Sequence, residues 1–195
     1  RIKELNLFVT GVGNVGEKFL AQINQQKKYI KENLKLKIRV IGVSNSRQMF
    51  FDENGIDLTN WKELLKNGEK AGIDSYFSRV SKLNLRNSVF IDITANQNVS
   101  EMYEAYLRQN IAVVTCNKIA CASSSENYNT LKNVSRKSNV SFLYETNVGA
   151  GLPIIDTLKN LIASGDRVHK IQAVLSGSLN FVFNKFDAST TFSSV

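Results

Sequence analysis

Cysteine and histidine are nearly missing from this sequence, and long apolar runs are missing altogether. Cys116, Cys121 and His169 are the only residues of those two types among 195. They are too few for a zinc site, and the two cysteines fall where strand end and loop are expected, the wrong context for a disulfide framework. The longest apolar runs, such as residues 111–114, fall far short of the roughly 20 residues a membrane span needs, and nothing near Arg1 resembles a signal peptide. Repeats and low-complexity segments are absent as well. A cytoplasmic globular protein is expected, and a hydrophobic share of 43% beside a charged share of 22% argues against disorder.

Charge is present in excess of one sign, at a net +8. The cations are scattered, however, and Lys27, Lys28, Lys31, Lys35 and Lys37 make the only cluster, which reads as a solvated helical face before a nucleic-acid patch. Neither nucleic acid nor membrane is expected as a partner. The length allows one full domain of about 140 residues and part of a second. The chain opens at Arg1 without methionine and stops at Val195 soon after a strong motif, so it reads as a segment of a longer protein.

Apolar runs of strand length alternate with helical spacing, the pattern of a parallel sheet covered by helices. Strands are predicted over residues 5–10, 38–43, 89–93, 111–115 and 141–145. Val12, Val15, Phe19, Leu20 and Ile23 predict a helix after the first strand. Residues 99–107, with Met102, Tyr103, Tyr106 and Leu107 inward, predict another, and residues 128–134 a third. Residues 44–88 read as less regular, with a turn at Asn54-Gly55 and a short helix around Trp61, Leu64 and Leu65. Pro153 stands where a helix can begin, followed by Ile154, Ile155, Leu158, Leu161 and Ile162 at helical spacing, and Ser164-Gly165-Asp166 would end that helix. A last strand is predicted over residues 171–175, leading into Ser176-Gly177-Ser178.

Between the first strand and the first helix stands Gly11-Val12-Gly13-Asn14-Val15-Gly16. In that setting glycines let backbone approach a pyrophosphate at the helix N-terminus, so Gly11, Gly13, Asn14, Val15 and Gly16 are candidate cofactor-binding residues. After the second strand an NAD enzyme usually offers a carboxylate to the ribose hydroxyls. This chain offers Val43-Ser44-Asn45-Ser46-Arg47. Ser44, Ser46 and Arg47 suit a 2′-phosphate, which favours NADP and leaves NAD as the alternative.

Thr94-Ala95-Asn96-Gln97 and Thr115-Cys116-Asn117-Lys118 follow the third and fourth strands, at the sheet edge where open α/β proteins bind ligands. A lysine there can bind a substrate oxygen and stabilise negative charge developing during hydride transfer, although a lone lysine is more often a surface cation. Glu145-Thr146-Asn147-Val148-Gly149-Ala150-Gly151-Leu152-Pro153 combines a carboxylate, two glycines and an outgoing helix. Such a loop could hold a monovalent cation or a substrate, and a tight domain-crossing loop would have the same composition.

Together these residues make the chain resemble homoserine dehydrogenase over essentially its whole length, most closely the dehydrogenase portion of bifunctional aspartokinase/homoserine dehydrogenases. Residues 8–16 and 42–46 carry part of the likeness. Val114-Thr115-Cys116-Asn117-Lys118, residues 145–153 and Leu175-Ser176-Gly177-Ser178-Leu179-Asn180, in that order and spacing, are the specific part. The resemblance implies reversible, nicotinamide-dependent interconversion of aspartate 4-semialdehyde and homoserine, on the route to threonine and methionine. It implies a Rossmann-type doubly wound parallel sheet over residues 1–144, then the start of an α/β catalytic and dimerisation domain over residues 145–195.

By the same resemblance, Lys118 matches the catalytic lysine between nicotinamide and substrate, and Thr94 and Ala95 lie beside the nicotinamide ribose. Glu145 and the backbone of Val148, Ala150 and Leu152 match a sodium or potassium site, and Gly177 and Ser178 the turn at the substrate. The intact protein is expected to be fused to an aspartokinase and to form a homo-oligomer. Cys116 departs from a common proline and Ser178 from a common threonine. The family's later carboxylate-bearing stretches and a second catalytic lysine lie beyond Val195, so these residues alone are expected to lack a complete active site. Two rival readings are a non-catalytic NADP-binding or regulatory module and a thiol-dependent semialdehyde dehydrogenase. The second needs an activating base that neither Cys116 nor Cys121 has nearby in sequence.

Overall fold

The computed structural model describes residues 2–185, and the chain divides into two compact units between Tyr144 and Glu145. The first unit opens with β1 (Lys3–Thr10), α1 (Asn14–Asn33) and β2 (Leu36–Ser44), a βαβ unit in which the two strands pair in parallel. Leu20 and Ile23 are buried on the inner face of α1, and the helix then continues ten residues past Ile23 as a largely exposed rod.

Residues 44–88 are more ordered than their sequence suggests. They hold β3 (Gln48–Phe51), α2 (Trp61–Lys66), β4 (Glu69–Lys70) and α3 (Ile73–Leu83). The expected short helix is α2, and the two strands and α3 are additions. Met49-Phe50-Phe51 becomes a strand because the chain reverses at residues 45–47 and pairs antiparallel with the end of β2. In α3, Tyr76 and Val80 sit one turn apart and are both buried.

The remainder of the first unit is β5 (Ser88–Asp92), α4 (Gln97–Ser100), α5 (Tyr103–Arg108), β6 (Ala112–Thr115), α6 (Ile119–Ala122), α7 (Ser125–Ser138) and β7 (Phe142–Leu143). The single helix expected over residues 99–107 is therefore two. Met102 N–H bonds to Val99 O, three residues back, and this tightened turn breaks the ladder, leaving Met102 only half buried. The strand expected over residues 141–145 shortens to β7, since only Phe142 and Leu143 pair with β6.

The sheet order is β4-β3-β2-β1-β5-β6-β7, parallel from β2 through β7 and antiparallel at the β3 and β4 edge. Alternation sorts side chains onto two unlike faces. Leu7, Val9, Val40, Val43 and Ile91 meet Leu20 and Ile23 of α1 and Trp61 and Leu65 of α2 in an aliphatic layer. The opposite face is aromatic, with Phe90 stacked on Tyr106 at 4.0 Å and contacts running from Phe8 through Phe51 and Tyr76 to Phe90. Helices cover both faces, as doubly wound sheets require. No described helix is long and apolar enough to cross a membrane.

The second unit comprises a 3-10 turn (Glu145–Asn147), α8 (Ile154–Ala163) and α9 (Gly177–Lys185). Pro153 immediately precedes α8, and Gly165, at φ +91, follows its end, as expected. The strand expected over residues 171–175 does not form. Ile171, Val174 and Leu175 are exposed and meet no partner strand among the described residues, and without a ladder an extended apolar run is not a strand.

Candidate active site

In the parallel part of the sheet the strand order reverses between β1 and β5, and the chain leaving β1 lies at that divide. Such a switch point opens a crevice at the carboxyl ends of the strands. Gly11 N–H bonds to Ser44 O at 2.9 Å and Ile93 N–H to Thr10 O at 2.8 Å, so the glycine loop is tied to the ends of both neighbouring strands.

The three glycines of the loop do different work. Gly11 has φ +94, and a Cβ there would lie 2.4 Å from Ile93 O. At Gly16 a Cβ would fall 2.1 Å from Gly11 O, so this glycine lets α1 close against the loop. Around Gly13 nothing lies within 4 Å of that position. Gly13 is also the N-cap of α1 and supplies no side-chain bond, and Asn14 and Val15 are exposed. Uncapped amides of a 20-residue helix thus face open space, a cradle for an anion where only backbone can come close.

At the end of β2, Asn45 holds the next turn in place: its Oδ1 accepts from Arg47 N–H at 2.8 Å and Gln48 N–H at 2.7 Å. Ser44 is buried and its hydroxyl donates to Asn45 O at 3.0 Å, so it braces the turn from beneath. Ser46 and Arg47 are exposed, and the Arg47 guanidinium has no ion-pair partner among the described residues. Ser44, Asn45 and Ser46 line a cleft of about 450 Å³ together with Thr10 and Gly11 on one side and Thr94, Ala95 and Asn96 on the other. Arg47 stands outside that lining.

The cleft also takes in residues that sequence reasoning passed over: Ala71, Gly72 and Ile73 at the start of α3, and Tyr76, Val99 and Met102. Ile73, Tyr76 and Val80 carry a helical spacing that could have revealed α3. Nothing in the sequence shows that its first turn returns to the cofactor edge.

The loops after β5 and β6 are joined through a buried carboxylate. Asp92, fully buried at the end of β5, accepts from Thr94 N–H at 2.8 Å through Oδ1. Its Oδ2 accepts from Tyr103 Oη at 2.5 Å and Asn117 Nδ2 at 3.0 Å. Asn117 Nδ2 donates also to Asn96 O at 3.0 Å, and Asn117 Oδ1 accepts from Ile119 N–H at 3.2 Å. Burial first, then the charge and hydrogen bond of Asp92, hold the Tyr103 phenol far above its ordinary range, so it acts as a donor. An acidic residue inside the apolar run Val89-Phe90-Ile91-Asp92-Ile93 was the available signal, since buried acids are rarely left without partners. Lys118 follows Asn117, exposed at the carboxyl end of β6 and next to α6. Burial, then Asp92, push the Cys116 thiol up, which leaves it protonated at neutral pH and unsuited to nucleophilic attack.

In the second unit the Glu145 carboxylate caps α8: Oε1 accepts from Ile155 N–H at 3.0 Å and Oε2 from Asp156 N–H at 2.9 Å. Gly149 and Ala150 have φ of +72 and +51, which keeps residues 148–152 out of helix, and Leu152 O accepts from Ile154 N–H at 2.9 Å. Gly177 and Ser178 do not sit in a turn behind a strand; they are the exposed first residues of α9, whose start is capped by Ser176 Oγ accepting from Leu179 N–H at 3.2 Å.

Residues 11–145 match the family model for the homoserine dehydrogenase NAD binding domain, and residues 153–195 match that for homoserine dehydrogenase. The chain is 40% identical over 195 residues to the bifunctional aspartokinase/homoserine dehydrogenase of Haemophilus influenzae, covering 99% of this chain and 24% of that protein. To the chloroplastic bifunctional aspartokinase/homoserine dehydrogenase 1 of Arabidopsis thaliana it is 39% identical over 189 residues, 96% of this chain and 21% of that protein. It therefore spans about a quarter or less of the length of these curated relatives. Among solved structures, a hyperthermophilic archaeal homoserine dehydrogenase in complex with NADPH has the same fold, with a TM-score of 0.82 at 24% identity over 98% of this chain and 59% of that one. Given the open Gly13 cradle at the switch point and a family match over most of the sequence, the chain belongs to the homoserine dehydrogenase family.

Proposed function

We propose that residues 1–144 bind NADP and that residues 145–195 open the catalytic and dimerisation domain of an enzyme interconverting L-homoserine and L-aspartate 4-semialdehyde. The intact protein, in this reading, is cytoplasmic, carries an aspartokinase and forms a homo-oligomer. The observation that carries the cofactor half is the cradle itself: Gly13 open, the α1 amides uncapped, Gly11 and Ser46 lining one cleft, and Arg47 exposed next to Ser46 in the chain. No carboxylate stands there to meet ribose hydroxyls, the next acid being Asp52 beyond β3. A hydroxyl and a guanidinium suit a 2′-phosphate.

The bound dinucleotide supplies or takes up the hydride. Lys118 binds the oxygen of the reacting carbon and stabilises its negative charge as hydride adds, the alkoxide then taking a proton to give the alcohol; in the reverse direction it holds that oxygen as the proton and hydride leave. Thr94 and Ala95 meet the nicotinamide ribose, and Gly177 and Ser178 meet the substrate. Glu145, with the carbonyls of Val148, Ala150 and Leu152, binds sodium or potassium. A carboxylate that caps a helix through both oxygens keeps further lone pairs for a cation.

The test is Lys118→Ala in the full-length protein. Turnover should fall by roughly 100-fold or more while NADPH affinity changes little. Turnover within about threefold of the parent, under about 1 kcal/mol, would make Lys118 a surface cation and sink the catalytic assignment.

A further inference from the structure

Lys118 stands exposed at the carboxyl end of β6, next to α6. That position does not explain why a carboxylate is buried at the end of the neighbouring strand, β5. Asp92 has no cation beside it among the described residues; its neighbours are neutral donors: the Thr94 amide, the Tyr103 phenol and the Asn117 amide. Ionised carboxyl groups inside a protein are expensive unless every oxygen is satisfied, and an apolar replacement would often be as stable. The arrangement is better accounted for by what it joins. Through Thr94 N–H the carboxylate fixes the start of the loop after β5, and through Asn117 it fixes the residue before Lys118. Asn117 also bonds to Asn96 O, closing a bridge between the two loops. Thr115 adds a second link, its Oγ1 accepting from Asn117 N–H at 2.8 Å and lying 2.7 Å from Tyr103 Oη.

We infer that Asp92 and Asn117 are positioning residues that set the Lys118 backbone against the Thr94–Asn96 loop, so that the ammonium and the nicotinamide ribose contacts keep one spacing. The inference rests on the proposed role of Lys118. Neither residue touches substrate; both act through Lys118 and the neighbouring loop. Charge stabilisation is sensitive to sub-ångström placement, so a loosened bridge should weaken chemistry before it weakens cofactor binding.

The experiment is a double-mutant cycle in the full-length protein, with Asn117→Ala and Tyr103→Phe each made in parent and Lys118→Ala backgrounds. Tyr103→Phe keeps the ring and removes one bond to Asp92, which guards against a variant that merely fails to fold; thermal melting reports folding in every case. In the parent background Asn117→Ala should lower kcat by roughly 10- to 30-fold, with NADPH affinity and KM within about twofold. In the Lys118→Ala background the further loss should shrink to under about twofold, because a positioning effect vanishes once the positioned group is gone. A loss that persists undiminished in both backgrounds overturns the inference and leaves a structural network only. So does a kcat within about twofold of the parent for both single variants. If Lys118→Ala alone leaves turnover intact, it is the underlying catalytic reading that fails, a result distinguishable from the other two.

Discussion

The two units of this chain contain similar apolar patterns and use them differently. In the first, Phe8, Val9, Leu20, Ile41 and Val43 are fully enclosed between sheet and helices. In the second, α8 carries Ile154, Ile155, Leu158, Leu161 and Ile162 at helical spacing, yet neither α8 nor α9 has a buried residue, and Leu161, Ile162, Phe181 and Phe183 are exposed. A helix can form from its own ladder and caps, so α8 and α9 exist without a core. A strand is completed only by a neighbour, and residues 171–175 have none among the described residues.

The largest effect that tests this contrast is a pair of truncations. Leu20→Ala should cost roughly 2–5 kcal/mol in denaturant unfolding of the chain, the usual range for an enclosed leucine. Ile162→Ala, at a side chain 59% exposed, should cost under about 0.5 kcal/mol. Equal losses would break the comparison.

Gly13→Val sharpens it within the first unit, where folding and binding should separate. NADPH affinity should fall by more than about 100-fold, roughly 2.7 kcal/mol, because the side chain enters the space the pyrophosphate needs. The fold should survive with a melting temperature lowered by only about 2–4 °C, since a Cβ there meets nothing and the main loss is the N-cap preference of α1. Retained affinity in a folded variant would show the cradle to be idle. Arg47→Ala should be milder and selective, weakening NADPH by about tenfold to a hundredfold and NADH far less, as loss of one charge-assisted contact implies. Equal weakening of both cofactors would remove the 2′-phosphate assignment.

The smallest expected effect is on acid stability. Hydrogen bonding to Lys37, then the charges of Arg39 and Lys37, hold the Glu4 carboxyl below its ordinary 4.5, and Lys62 does the same for Glu17. A carboxyl lowered on folding contributes stability above its unfolded value and loses it as pH falls through the folded one. Glu4→Gln with Glu17→Gln should therefore flatten the decline in melting temperature below about pH 4.5. An unchanged acid limb would show that these surface ion pairs are inert.

Local features of the site were legible in the sequence, and distant ones were not. Gly11, Gly13 and Gly16 declare themselves because their backbone demands lie within one turn of chain. The Ser44–Arg47 segment was readable for the carboxylate it does not have, whereas the grip of Asn45 on that turn was overlooked although Asn is a common turn former. Asp92 was missed for a different reason: its partners Tyr103 and Asn117 lie 11 and 25 residues away, and no spacing rule links them. The strand predicted over residues 171–175 failed because β propensity describes fit to a neighbour.

Both ends of the sheet are strands of only two residues, Glu69–Lys70 and Phe142–Leu143. A seven-stranded sheet is a large template for unwanted self-assembly, since an open flank invites another chain to extend the ladder. The outermost strand on either side offers only two residues, and on one of them these are a glutamate and a lysine, both exposed. The sheet is therefore terminated by brevity at both flanks and by charge at one.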